Sequence, residues 1–474
     1  MMKHFKKPLQ PFHFLLLLMV TILFTISSCK KDSFITSADA RLTTSTNSLQ
    51  FDTVFTSIGS ITQSFKINNP NNQKLNLTHV KLMGGAASAY KININGIAAA
   101  MQSNIELAAN DSMYVFVSVN INPNLSNLPF IVKDSIEIAF NGNSRFIQLE
   151  AFGQNANFLR NRIISGNINW RNNLPYVILG SLQVDTNAIL NIDAGCRIYA
   201  HANAPFLVDG TLLVNGNKSN PVIFTGDRLD TIYNSLPASW PGIYFRNLSK
   251  NNLLKYAIVK NAYQAIVAEN PSGNTQPKVT LQQCIVDNAY DAGLYFINSS
   301  LLADNSLITN CGNNISFVLG GSYSLTNCTV ASYSTFINHK NPVLAISNFG
   351  LINAAVITKP LSANFTNCIF WGEDGFVKNE IIVNKLGADP FNVSVNNCLY
   401  RATEEVANCT FTFSIKNQNP LFDSVNVSRS IFDFHINNPL APGINKGIAT
   451  IYTTDLDGKN RNIGLPDLGC YEKQ

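Results

Sequence analysis

Asn327-Cys328-Thr329-Val330 is followed by Asn367-Cys368-Ile369-Phe370 and then by Asn397-Cys398-Leu399. Shorter forms of the pattern lie around them: Gln283-Cys284-Ile285, Asn310-Cys311 and Asn408-Cys409. A polar residue, a cysteine and usually an apolar residue thus recur at irregular intervals. Recurrence of one short strand-edge pattern means that one supersecondary unit is being stacked, because such a unit cannot bury its apolar face alone. The second half of the chain therefore reads as a solenoid.

The pattern extends outward from these repeats. From about residue 160, short apolar segments are broken by glycine and asparagine. Gly180-Ser181-Leu182-Gln183-Val184 recurs thirty residues later as Gly210-Thr211-Leu212-Leu213-Val214. Pro221-Val222-Ile223-Phe224-Thr225-Gly226 and Trp240-Pro241-Gly242-Ile243-Tyr244-Phe245 continue the series. The succession resembles the right-handed parallel β-helix of the pectate-lyase-like superfamily. The C-terminal stretch from Asp455-Leu456-Asp457-Gly458 to Leu468-Gly469-Cys470-Tyr471-Glu472 resembles the closure of secreted β-helix proteins, with Cys470 replacing a small residue. The resemblance covers 160–474 and implies a coil with a C-terminal cap. About 10–13 rungs at ~4.8 Å would give a rod of roughly 50–60 Å. Asparagines at one corner of successive rungs would bond side chain to side chain and tolerate the left-handed turn.

Upstream, the pattern is alternating β. Ser64-Phe65-Lys66-Ile67, Tyr114-Val115-Phe116-Val117-Ser118-Val119 and Ser135-Ile136-Glu137-Ile138 each place apolar residues at every second position. Some seven such runs with turn residues between them predict an antiparallel sandwich over 47–155. The stretch from Leu107-Ala108-Ala109-Asn110-Asp111-Ser112 to Asn122-Pro123, and Asp134 through Gly153, resemble Hydin-type immunoglobulin-like domains. That resemblance implies a spacer or interaction module. The expected fold class is all-β, an antiparallel immunoglobulin-like β-sandwich followed by a right-handed parallel β-helix solenoid.

The first 28 residues read as a targeting segment. Lys3, Lys6 and Lys7 precede the apolar run 14–26, which falls short of the ~20 residues needed to span a bilayer as a helix. The run ends in Ile26-Ser27-Ser28-Cys29, which resembles the lipobox of bacterial lipoproteins. The resemblance implies lipidation of Cys29, with the membrane as partner through an N-terminal anchor, and an outer-membrane, surface-exposed location. Residues 29–46, rich in Ser, Thr and Ala, read as a flexible tether.

Removing the three N-terminal lysines from a formal net charge of +5 leaves the chain close to neutral, so no nucleic-acid partner is expected. The eight cysteines after Cys29, without a close-spaced pair, suggest buried thiols, neither a zinc site nor a compact disulfide framework. No metal or cofactor is expected. Asp455-Leu456-Asp457-Gly458 lacks the further oxygen ligands of a calcium loop, with Lys459 and Arg461 following, and reads as a turn.

The acidic residues Asp287, Asp291, Asp304, Glu373-Asp374 and Glu404-Glu405 carry no recognisable catalytic motif, and His339 and His435 are isolated. No catalytic residue is assigned. Aromatics at strand ends (Tyr233, Trp240, Tyr244, Tyr263, Tyr290, Tyr295 and Trp371) are candidates for stacking on sugar rings. Trp240 and Tyr244 are the first candidates for glycan binding, because alternation with Ile243 and Phe245 turns one set outward; the alternative is that Trp240 fills the coil. The expected function is a lipid-anchored, non-catalytic rod binding a polysaccharide or a surface protein. The alternative is a polysaccharide lyase or glycoside hydrolase.

Overall fold

A computed structural model describes residues 33–56, 59–122, 130–230, 233–461 and 463–473. The expected signal segment and Cys29 lie outside the described residues. The chain is all-β and divides into two compact units, the first ending at Gly153 and the second beginning at Gln154.

The first unit holds two five-stranded sheets. In one, Gln63–Asn68 pairs antiparallel with Ser112–Val119, which pairs antiparallel with Tyr90–Ile94. In the other, Leu75–Leu82 lies antiparallel to both Phe130–Phe140 and Met101–Leu107. Period-two alternation decides what is buried: Met113, Val115, Val117 and Val119 face in, while Tyr114 and Phe116 face out. Inner residues of both sheets meet in one core, with Phe65 and Val117 from the first and Leu77, Ile138 and Leu149 from the second.

The flexible tether needs correction from Phe34 onward. Ala40 and Leu42 are buried in this core, Thr43–Thr44 pairs with Ile67 and Asn68, and the Ile35 amide donates to the Lys74 carbonyl at 2.8 Å. Composition misled here because two apolar side chains in a Ser/Thr-rich stretch are enough to dock it where a core and an unpaired strand edge are on offer.

The second unit is dominated by a 26-stranded sheet whose pairings are parallel, consistent with a β-helix. Three ladders repeat in chain order. One contains Phe206–Val208, Ile243–Phe245 and Gln264–Glu269; the next contains Thr211–Asn215, Asn252–Lys255 and Val279–Gln282; the third contains Val222–Gly226, Ala257–Lys260 and Ile285–Asp287. Side chains alternate inward and outward along these strands, and Phe245, Leu281 and Val286 belong to a single continuous core.

From Asn252–Lys255 onward, the chain turns through one left-handed residue per coil between the second and third ladders. Tyr256, Gln283, Asn305, Asn327, Asn367, Asn397 and Phe413 occupy these corners, with φ between 44° and 56°. Asparagine dominates because its short polar side chain tolerates this conformation and finds local partners. The Asn367 amide donates to Asn327 Oδ1 at 2.9 Å. The next residue points inward, giving a column of Cys284, Ser306, Cys328, Cys368, Cys398 and Ser414. Here the Cys284 amide donates to Ser306 Oγ at 3.1 Å and the Cys398 amide to Ser414 Oγ at 3.1 Å. Two of the six cysteine motifs lie elsewhere: Cys311 follows the third ladder, and Cys409 precedes Thr410–Thr412 of the second. All eight described cysteines are free, and every one except Cys409 is buried.

After Ile415–Lys416 the chain folds back along the outside. Ile285, Leu307, Thr329, Ile369 and Leu399 form one outward register column on the third ladder. An exposed apolar stripe is costly, and the tail covers it with Phe434, Leu456, Leu468 and Cys470. The same tail reads the corner amides coil by coil. Asn397 donates to the Lys446 carbonyl at 3.1 Å, Asn367 to Ile448 at 2.8 Å and Gln283 to Asp455 at 2.7 Å. Residues 455–459 form a turn, with the Gly458 and Lys459 amides bonded to Asp455.

Arg461 anchors the tail. Its guanidinium is buried and donates to Asn305 Oδ1 at 2.8 Å and Glu472 Oε2 at 3.1 Å. Burial pushes the Glu472 carboxyl up to about 7 and the nearby Asp304 carboxyl up to about 6. Groups whose folded pKa is raised favour the native state most below their unfolded values of 4.5 and 3.8, and that contribution is lost as pH rises through about 7 and 6. The difference in melting temperature between Asp304→Asn and the parent protein should therefore shift in favour of the variant between about pH 4 and 6. Melting curves across that range test this, and a constant difference would contradict it.

Candidate functional site

The turns from the third ladder back to the first repeat as Lys260-Asn261-Ala262-Tyr263-Gln264 and Asp287-Asn288-Ala289-Tyr290-Asp291. Asn261 and Asn288 are left-handed, with φ of 61° and 57°, and they stack, Asn288 donating to Asn261 Oδ1 at 2.8 Å. The alanine after each is wholly buried, and the tyrosine after that points outward. Tyr263 and Tyr290 are 46% and 54% exposed, their ring centroids 5.8 Å apart and the planes inclined by 26°. One coil on, Gly312 follows Asn310-Cys311, where a Cβ would lie 2.3 Å from the Tyr290 carbonyl oxygen. The ring column therefore stops at two.

Beside these rings, Gln264 donates to Asp291 Oδ2 at 2.7 Å. Tyr244 and Tyr295 stand on the outward face of the first ladder, in one register column with Val267 between them. Both are half-buried, and burial pushes both phenols up, with the Asp291 carboxylate adding to the effect. The Tyr244 hydroxyl donates to the Pro241 carbonyl at 3.2 Å. The arrangement is four phenol rings around an amide–carboxylate pair. It can stack on apolar faces of flat rings and exchange hydrogen bonds with hydroxyl groups at their edges.

Trp240 is not part of this surface. It is 1% exposed, and its indole N–H donates to the Lys260 carbonyl at 2.9 Å. Trp240 bridges Ala262, so it occupies the inward corner position that alanine fills in the following coils. Trp240 therefore packs the coil, whereas Tyr244 lies half-buried on the outward face and Tyr263 and Tyr290 are the more exposed rings. Of the other aromatic candidates, Trp371 is buried, whereas Tyr233 is exposed beneath the Arg228 guanidinium at 3.8 Å from its ring centroid.

The remaining candidates are held by structural partners. Asp304 lies under the tail. Glu373 accepts from Ser334, Asp374 pairs with Arg401 at 2.8 Å, and Glu404 pairs with Lys378 at 2.9 Å. His339 is buried against Glu380 at 3.0 Å, and Glu380 also receives Arg401 at 2.6 Å. His435 lies between Asp433 and Asp457, which hold its imidazole pKa above the ordinary value although burial opposes this. Among the described residues, no group of three or more His, Cys, Asp and Glu side chains is placed to hold a metal ion.

No protein-family model and no curated protein matches the chain. Among solved structures, a family 123 glycoside hydrolase from Clostridium perfringens is 12% identical over 24% of this chain and 25% of its own, with a TM-score of 0.17. The chain thus spans about a quarter of the hydrolase's length. PapD-like domain 7 of human CEP192 is 10% identical over 27% of this chain and 92% of its own, with a TM-score of 0.18. The alkylpurine DNA glycosylase AlkC of Pseudomonas fluorescens is 12% identical over 24% and 31%, at 0.15. At such TM-scores these likenesses carry no argument about function.

Inward and outward aromatics should separate in stability. Trp240→Ala should cost about 3–5 kcal/mol through the cavity it opens. Tyr263→Ala combined with Tyr290→Ala should change stability by no more than about 1 kcal/mol, as for exposed side chains. Denaturant unfolding of both variants measures the contrast.

Proposed function

We propose that the chain is a lipid-anchored cell-envelope protein whose second unit binds glycans along a non-catalytic face. On this reading the three ladders form a right-handed parallel β-helix, and the first unit is an immunoglobulin-like spacer between the anchor and the binding face. The observation that carries the binding reading is the exposed, stacked Tyr263–Tyr290 pair beside the Gln264–Asp291 hydrogen bond. Rings held at neighbouring coils lose little side-chain entropy on stacking against sugar rings, and the polar pair beside them supplies orientation. The anchor rests on Lys3, Lys6 and Lys7, the following apolar run and the small residues before Cys29. A surface protein with exposed aromatic or hydroxylated groups is the other partner class that this face would accept.

Purified residues 30–474 incubated with immobilised neutral and acidic polysaccharides, with and without Ca²⁺, should be retained on at least one polymer without new reducing ends or unsaturated products. Retention should fall at least tenfold in the Tyr263→Ala/Tyr290→Ala variant, because two stacking rings contribute on the order of 1 kcal/mol each. Release of cleavage products would overturn the non-catalytic reading and favour a lyase or hydrolase.

The anchor is tested separately in cells. Cys29→Ser should move the protein from the membrane fraction to the soluble fraction, since an acyl chain contributes about 0.8 kcal/mol per buried methylene. Unchanged fractionation would remove the lipid anchor from the proposal.

A further inference from the structure

A second candidate site lies on the third ladder, at the start of the turns that lead on to Tyr263 and Tyr290. A cleft of about 400 Å³ opens over its outer face. Lys260, Asp287, Arg228, Ser235, Thr335 and Phe336 are among the residues that line the cleft. The tail closes one edge with Ser430 and Phe432.

Hydrogen bonding around this cleft is incomplete. The corner amides on either side of Asn288 are satisfied: Asn261 donates to the Asn234 carbonyl at 2.8 Å and accepts from Asn288, while Asn310 donates to Asp287 and accepts from the Tyr333 amide at 3.1 Å. Asn288 is 8% exposed and spends its amide protons on the Ser235 carbonyl and Asn261, but its Oδ1 is buried without a partner. Thr335 Oγ1 is also buried without a partner. Native proteins pair nearly all such atoms, and both orphans belong to residues that line this one cleft.

The chemistry of the lining narrows what could bind there. Asn288 Oδ1 needs a donor. Asp287 is also an acceptor, and its described side-chain hydrogen bonds, from Thr309 at 2.9 Å and Asn310 at 3.2 Å, both fall on Oδ1. Lys260 pairs in register with Asp287 and offers donors, as does the Thr335 hydroxyl. The charges are balanced locally, Lys260 beside Asp287 and Arg228 on Asp230 at 2.9 Å, so a strongly charged ligand has no excess of opposite charge to meet. Phe336 is 56% exposed and provides an apolar ring face in the lining. Hydroxyl groups both donate and accept, so a molecule carrying several of them on a ring with an apolar face answers every feature.

We propose that this cleft binds one uncharged sugar residue, a free monosaccharide or the end or branch of a glycan, through Asn288, Thr335, Asp287 and Lys260 with the ring against Phe336. The proposal is independent of what the tyrosine face binds. Its volume, at the lower end for small-molecule sites, suits one or two sugar rings.

Saturation-transfer NMR of residues 30–474 with glucose, galactose, mannose, N-acetylglucosamine, N-acetylgalactosamine, fucose and rhamnose, each alone, tests it. At least one sugar should receive saturation. Thr335→Val keeps the side-chain shape and removes one hydrogen bond, so it should weaken that sugar's binding about fivefold. Phe336→Ala should weaken it by at least as much, and the Tyr263→Ala/Tyr290→Ala variant should bind it as the parent does. Melting curves confirm that the variants are folded. No transfer to any of these sugars would overturn the proposal, as would binding that survives Thr335→Val and Phe336→Ala but disappears with the two tyrosines. Loss of polysaccharide retention in the Tyr263→Ala/Tyr290→Ala variant with its monosaccharide binding intact would support two separate sites.

Discussion

Most of the second unit depends on a residue that each coil from Asn252–Lys255 onward places in the left-handed region between its second and third ladders. A parallel strand cannot return to its neighbour through a two-residue hairpin, so the chain must travel around the coil and turn at fixed corners. At Asn305, Asn327, Asn367 and Asn397 the turn is made by a residue whose backbone accepts a positive φ and whose side chain can bond sideways. The residue that follows is thereby directed inward, which is why Cys284, Cys328, Cys368 and Cys398 share a buried column with Ser306 and Ser414. Burial pushes the Cys284 thiol up to about 12, so these cysteines serve as small apolar groups.

The corner amides have a second use. Side chains that only laddered with one another would leave the outer apolar column of the third ladder facing water. Instead the tail crosses successive coils, bonded by Gln283, Asn367 and Asn397, and lays Leu456, Leu468 and Cys470 over Leu307, Ile369 and Leu399. Each such aliphatic side chain contributes roughly 1.5–3 kcal/mol when fully buried. The tail is thus a lateral cover for a side of the coil, and it also builds one wall of the polar cleft. Stability and the candidate sugar pocket share the same 417–473 segment.

Inward and outward positions decide the chemistry as well. Trp240 and Tyr263 sit in equivalent turns one residue apart in register, yet the first is in the core and the second on the surface. A large aromatic at the inward corner fills space that Ala262 and Ala289 leave to neighbours, whereas the next position has no interior to enter. The stacked pair then forms because consecutive coils repeat the same turn. Gly312 ends it because a side chain there would strike the carbonyl oxygen of Tyr290.

By itself, the sequence determined that the chain is all-β, with strand alternation in the first unit and stacked repeats in the second, because those patterns follow from side-chain period and from left-handed corners. It also placed Tyr244, Tyr263, Tyr290 and Tyr295, with Trp240, at or near strand ends as candidates for stacking on sugar rings. The tertiary structure alone decided which of the six cysteine motifs are aligned, since intervals that vary with loop length hide coil register. It showed that Ala40 and Leu42 dock instead of belonging to a free tether, that Trp240 points in, and that the tail runs along the coil. The polar cleft is of the same kind: Asn288, Thr335 and Ser430 come from distant stretches, and nothing local in any of them announces that folding leaves their polar groups around one space.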